Sequence, residues 1–151
     1  SATYAQDEAF YIYFGESFLP EPENKDGYIK MHGRKIYNFA LSHVPQAMTE
    51  CLAKCNKTID DVKKIFIHQA NEKMDEAIVQ RFYKMHDRKA PDTIMPMSIK
   101  TLGNSSVATI PTLYDLFLKG EFDHEELKEG DVIMFASVGA GMNINAITYQ
   151  V

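Results

Sequence analysis

Cysteine is scarce in this sequence: two of 151 residues, Cys51 and Cys55. A spacing of four puts both on one face of a helix, so they are not the framework of a disulfide-stapled fold. Basic residues are also short, with 16 Lys and Arg against 21 Asp and Glu and a formal charge of −5. Nucleic-acid binding draws on clustered cations, and that class of partner is excluded. No apolar run approaches the roughly 20 residues that span a bilayer, so no membrane partner is expected. No basic segment leads into an apolar stretch near the N-terminus, and a cytoplasmic location is expected. The five histidines form no H-E-x-x-H and no paired Cys/His spacing, so no metal site is expected. Internal repeats and low-complexity linkers are missing too, and 151 residues suit a single domain with a substantial core.

What is present is an alternation of elements. "EAFYIYF" at 8–14 is a strand-like aromatic run, "LPEPENKDG" a long polar loop, and "YIKM" a second short run. Apolar residues then recur at Ile36, Ala40, Val44, Ala47, Met48, Cys51, Leu52 and Cys55, the period of a long amphipathic helix that Pro45 kinks or divides. "KKIFIH" is a compact strand and "NEKMDEAIVQRFYKM" a helix, while "TIMPMS" is a weak strand, weakened by Pro96. "LGNSS" is a loop ahead of a helix through "VATIPTLYDLFLKG", with Pro111 either in its first turn or bending it and closure near Gly120. "DVIMFASV", the turn "GAG" and "NINAITYQV" complete a terminal hairpin. This order predicts an α/β fold, a mostly parallel sheet covered by helices whose last strand turns back antiparallel.

In such sheets function gathers at the carboxyl edge, where loops line a shared crevice. His68, Asn104 and the glycine turn at 139–141 each follow a strand, so parallel strands would bring all three to one edge. Each has a plain structural reading: a histidine closing a strand, an N-cap or turn asparagine, a tight hairpin. Together, a neutral imidazole and a side-chain amide can donate to one oxygen that gains negative charge. The G-x-G-x-x-G phosphate fingerprint fails at Ile144, which excludes a dinucleotide site of that kind. Cys51 and Cys55 lie on an apolar helical stripe and read as core residues, not nucleophiles. The acidic "EFDHEELKEGD" reads as a solvated turn without EF-hand spacing.

"HQAN", "GNSSVATIP" and "VGAGMN", in that order, resemble the C-terminal half of a β-ketoacyl-acyl-carrier-protein synthase III, a condensing enzyme of the thiolase superfamily. The resemblance runs over residues 31–151, with 1–30 a strand plus long loop that matches poorly, and 1–151 forming one C-terminal domain. It implies a five-stranded mixed sheet packed with helices, forming one half of a two-half fold. It also implies an acyltransferase that condenses malonyl-acyl-carrier protein with an acyl thioester in fatty acid biosynthesis. His68 and Asn104 match the family's catalytic His and Asn, and the nucleophilic cysteine belongs to the missing N-terminal half. Ala140, where relatives usually carry glycine, matches a backbone N–H of the oxyanion site. Asn71 and Lys73 match substrate or carrier-protein positions, and Arg81 and Lys84 lie on the same helix. No bound cofactor is implied; the substrates, acyl-coenzyme A and acyl carrier protein, carry phosphopantetheine. The implied partners are those two, the N-terminal half and a second copy in a homodimer. The alternatives are a ketosynthase-III-like acyltransferase of secondary metabolism and a non-catalytic thiolase-like partner domain.

Overall fold

The computed structural model describes residues 2–3, 7–20, 26–122 and 126–151. Residues 21–25 of the Pro-rich loop and 123–125 of the acidic turn lie outside that set. Strand β1 (Ala2–Thr3) pairs with the last strand, and β2 (Ile12–Glu16) and β3 (Gly27–Met31) form a separate antiparallel ribbon. A 3₁₀ turn at Ala9–Tyr11 occupies part of the aromatic run that the sequence suggested was all strand.

Helix α1 (Gly33–Lys54) runs unbroken through Pro45, which is buried on its inner face. Lacking an N–H, Pro45 cannot bond the preceding turn. Its own carbonyl accepts the Thr49 hydroxyl at 3.0 Å. The helix ends where Asn56 takes a left-handed φ of 54°, and the Lys57 N–H reaches back to the Leu52 carbonyl at 3.0 Å, a C-terminal stop without glycine. Termination at Lys54 takes Cys55 off the buried stripe: Cys51 is half-buried, but Cys55 is exposed.

Strand β4 (Val62–Ile67) precedes α2 (Glu72–Lys84); the short α3 (Ile99–Leu102) and α4 (Thr109–Leu118) lead to β5 (Val132–Gly139) and β6 (Asn143–Gln150). The sheet order is β1-β6-β5-β4, with β4 and β5 parallel and β6 antiparallel to both neighbours. The sheet is mixed and its last strand turns back, as expected. Among the described residues, however, it has four strands and one parallel pair, not five strands mostly parallel. "TIMPMS" forms no strand; it follows the outer edge of β4 irregularly, where the Ile65 N–H donates to the Ile94 carbonyl at 2.9 Å. Pro96 supplies no donor to continue a ladder.

Alternation along the strands divides the core. Ile65, Ile67, Met134, Ala136 and Ile144 face α1 and α2, whereas Phe66 and Ile133 face Leu113 and Phe117 of α4. A bulge between Val62 and Lys64 resets the β4 pattern so that Val62 joins the α1 side. Lys64, 2% exposed, faces the α4 side, its stem packed inside and its ammonium donating to the Thr93 carbonyl at 2.5 Å. Phe66 is edge-on to Tyr114 and Phe117 at 5.4 and 5.5 Å, closing that layer.

Candidate active site

Side chains alternate between the faces of a strand. By that rule His68, one position past β4, shares the α4 side with Phe66. The His68 N–H donates to the Ala136 carbonyl at 2.9 Å, which extends the parallel ladder one residue and ties the histidine to β5. On β5 and β6 the same face presents Ser137 opposite Asn145 and Gly139 opposite Asn143. These residues, with Ser106, Val107, Ile110 and Ala140, surround a cleft of about 480 Å³ that His68 also lines. The cleft therefore lies at the carboxyl end of the parallel pair, between the α4 start and the hairpin turn.

His68 is half-buried, and loss of solvent pushes its pKa below the ordinary 6.5, opposed by a hydrogen bond with the Ser106 backbone. The imidazole is thus biased to its neutral form, with one ring nitrogen protonated. Gln69 is fully buried: its amide donates to the Pro96 carbonyl at 2.8 Å and accepts from the Ser98 N–H at 2.9 Å. It anchors the 96–98 segment beside the histidine. Asn71 caps α2, its Oδ1 accepting from the Met74 N–H at 3.2 Å, and its side chain is exposed. Lys73 is exposed in the first turn of that helix, next to Glu72, which Lys100 holds at 2.9 Å.

Asn104 follows Gly103, whose φ of 65° ends α3. Its Oδ1 accepts the Ser106 N–H at 2.8 Å, and Asn104 is exposed outside the residues lining the cleft. The structure thus brings His68 and Ala140 to one cleft and links Asn104 to it through Ser106. Asn71 and Lys73 stand apart at the helix start. Neither Cys51 nor Cys55 lines the cleft; the Cys51 thiol instead contacts the Ala146 carbonyl and the Thr148 hydroxyl, at 3.4 and 3.3 Å, on the α1 side.

The turn at Ala140–Met142 owes its shape to Gly141, at φ 74°. A Cβ there would approach the Asn143 amide nitrogen to 2.9 Å, whereas Gly139 is extended with nothing within 4 Å. Sequence reading missed Ser137, Asn143 and Asn145 as site residues. The signal was the alternation in "NINAI", which puts both asparagines on the face opposite Ile144 and Ala146; a polar strand face usually reads as solvated.

Beside this cleft, Ile110, Pro111, Tyr114, Phe135 and Ile147 line a more apolar one of about 320 Å³ that shares Ser137 and Asn145. Among the described residues no group of three or more His, Cys, Asp or Glu side chains is placed to hold a metal ion. No described helix is long and apolar enough to cross a membrane.

Helices on both faces of a mixed sheet, with the last hairpin turn beside a strand-end histidine, define a thiolase-like α/β domain. The solved β-ketoacyl-acyl-carrier-protein synthase III of Thermus thermophilus superposes with a TM-score of 0.75 at 24% identity, over 97% of this chain and 43% of that one. The priming β-ketosynthase of the R1128 polyketide pathway gives 0.79 at 18% identity, over 97% and 42%. Residues 52–151 match the family described as 3-oxoacyl-acyl-carrier-protein (ACP) synthase III C terminal, and the chain belongs to that family. The β-ketoacyl-acyl-carrier-protein synthase III of Prochlorococcus marinus (strain NATL2A) is 31% identical over 121 residues, covering 80% of this chain and 33% of that protein. That of Porphyra umbilicalis is 32% identical over 129 residues, covering 85% and 36%. The chain spans about a third of the length of these relatives.

Proposed function

We propose that this chain is the C-terminal part of an acyl-transferring condensing enzyme that joins an acyl thioester to malonyl-acyl-carrier protein with loss of carbon dioxide. The observation that carries the reading is the cleft shared by a neutral-biased His68 and the Ala140 turn at the carboxyl edge of β4 and β5. Membership of the synthase III family supports it. Because no cysteine lines the cleft, the nucleophile is assigned to the rest of the longer protein.

In this reading a cysteine thiolate first takes the acyl group and releases the donor thiol, which divides carbon–carbon bond formation into two easier steps. The malonyl carboxylate then leaves as carbon dioxide, and its bonding pair becomes an enolate on the carrier-bound thioester. His68 and Asn104 donate to the enolate oxygen, where charge accumulates. With Asn104 Oδ1 engaged by the Ser106 N–H, its Nδ2 is the donor end. For His68 the proton must sit on the ring nitrogen that faces the oxyanion. The enolate carbon attacks the acyl-cysteine, the Ala140 N–H holds the tetrahedral oxyanion, and collapse expels the thiolate. Asn71 and Lys73, with Arg81 and Lys84 further along α2, are assigned to the approach of the carrier protein. Local cations there serve an acidic partner despite the net negative charge. A cytoplasmic homodimer using acyl-coenzyme A as donor completes the proposal.

The test is made in the longer protein, with acylation and malonyl decarboxylation measured separately. His68→Ala and Asn104→Ala should each slow decarboxylation by roughly 100-fold or more, the scale of losing one oxyanion donor, while cysteine acylation changes far less. Equal loss in both half-reactions would remove the assigned roles.

A further inference from the structure

Strand β6 is paired along its whole length with β5, but on its other side it meets β1 only at Asn143 and Ile144. Where its remaining backbone groups point follows from the neighbouring bonds. Ala136, opposite Ala146, gives its carbonyl to the His68 N–H at 2.9 Å, on the β4 side. Val151 turns its N–H and its carbonyl toward Asp131 and Gly130 at the start of β5, at 2.9 and 2.8 Å. Direction alternates along a strand, so the backbone groups of Ala146, Thr148 and Gln150 point away from β5. Among the described residues, none of these three N–H groups has a hydrogen-bond acceptor, and the Ala146 carbonyl meets only the weak thiol donor of Cys51, at 3.4 Å. The stretch from Asn145 to Gln150 carries no charge and no proline, two devices that blunt an open edge.

We propose that this outer edge of β6 is a strand-addition site, and that its occupant is the segment of the longer protein directly preceding Ser1, continuing β1 along Asn145 to Gln150. The register sets the path. β1 runs antiparallel to β6, with Thr3 opposite Asn143 and Ala2 opposite Ile144, so each further residue upstream lies opposite the next residue toward Gln150. Chain that enters β1 in line therefore passes along the open stretch, where main-chain bonds to alternate residues give affinity whatever the side chains. A second copy laying its own β6 on this edge would collide with that path. The proposal rests on the reading above that the chain is the C-terminal part of a longer protein: the matched family is a C-terminal one, and the relatives extend well beyond the matched region. Its consequence for the site is that β6, which carries Asn143 and Asn145 into the His68 cleft, is held from both edges.

The experiment is residue-resolved amide hydrogen exchange on the 151-residue chain and on the longer protein. In the 151-residue chain the Ala146, Thr148 and Gln150 amides should exchange fast, while those of Asn145, Ile147 and Tyr149, bonded to β5, exchange slowly. In the longer protein the first three should slow on the order of 100-fold or more, as buried ladder bonds do. Thr148→Pro removes one outward donor and leaves the β5 ladder whole; in the longer protein it should return the Ala146 and Gln150 amides toward fast exchange. Edge amides that stay fast in the longer protein overturn the proposal. So does protection that appears in the 151-residue chain as its concentration rises, which would give the edge to a second copy. Should Thr148→Pro not fold, the wild-type comparison decides alone. No readout uses condensing activity: a filled edge in a protein that fails to condense removes the catalytic reading alone, and an open edge in an active enzyme removes this one alone.

Discussion

A half-buried histidine and a buried aspartate flank the turn after β4, and their pKa values move in opposite senses with opposite effects on stability. The Asp75 pKa is raised from 3.8 to about 7, so between these values the unfolded chain is charged while the fold keeps its proton. Its contribution is fully present below about pH 4 and is lost as pH rises through about 7, a change on the order of 4 kcal/mol. His68, depressed below 6.5, contributes stability that is present above pH 6.5 and is lost as pH falls through its folded value. Denaturant unfolding of Asp75→Asn across pH 4 to 8 should therefore lack the decline toward alkaline pH that the wild type displays. A decline of equal size in the variant would mean that another group supplies it. At this scale His68 was legible from its place at the end of "IFIH", because a strand must deliver its last residue to an edge. Asp75 was not, because a helical pattern of three and four places it among apolar residues without disclosing that its carboxyl would be sealed.

At the scale of elements, the site depends on a hairpin turn and a loop of special backbone geometry. Gly141 holds φ 74°, a conformation that strains any residue with a Cβ, and a Cβ there would also push the Asn143 side chain aside, whereas Gly139 is extended and open. Gly141→Ala should lower unfolding free energy by about 1–2 kcal/mol, and Gly139→Ala should stay within about 0.5 kcal/mol, as measured by denaturant midpoints. A loss at Gly141 as small as that at Gly139 would mean that the turn tolerates left-handed alanine. The "GAG" turn, the Pro111 start of α4 and the close at Gly120 were all readable from local chemistry. α1 passing through Pro45 was not, since tertiary packing of Phe39, Ala40, Val44, Met48 and Leu52 holds together a helix that its sequence threatens to divide. The failed strand at "TIMPMS" has a similar origin. Its backbone meets β4 through one bond and the Gln69 and Lys64 side chains, contacts that no local pattern encodes.

At the scale of the whole molecule, one sheet face is less covered than the other. α1 and α2 seal one side, while on the α4 side Ile147 and Tyr149 remain 56% and 49% exposed. The β2–β3 ribbon and its approach expose Phe10, Phe14, Phe18, Ile29 and Met31. Exposed apolar side chains gathered into a patch mark surfaces that a partner covers. The isolated chain should bind an apolar fluorescent dye and self-associate with concentration in sedimentation. Ile147→Lys should reduce both, and unchanged dye binding in that variant would locate the exposed surface elsewhere.

The sequence by itself determined the alternation of strands and helices, the strand-end histidine, the glycine turn and the family, because these rest on side-chain period, backbone permission and motif order. Tertiary structure alone decided that β4 and β5 lie side by side and parallel, that Ser137, Asn143 and Asn145 share a cleft with His68, and that Asn104 reaches it only through Ser106. These facts depend on which strands pair and in what register, and pairing is set by burial across distances in the chain that no local pattern spans.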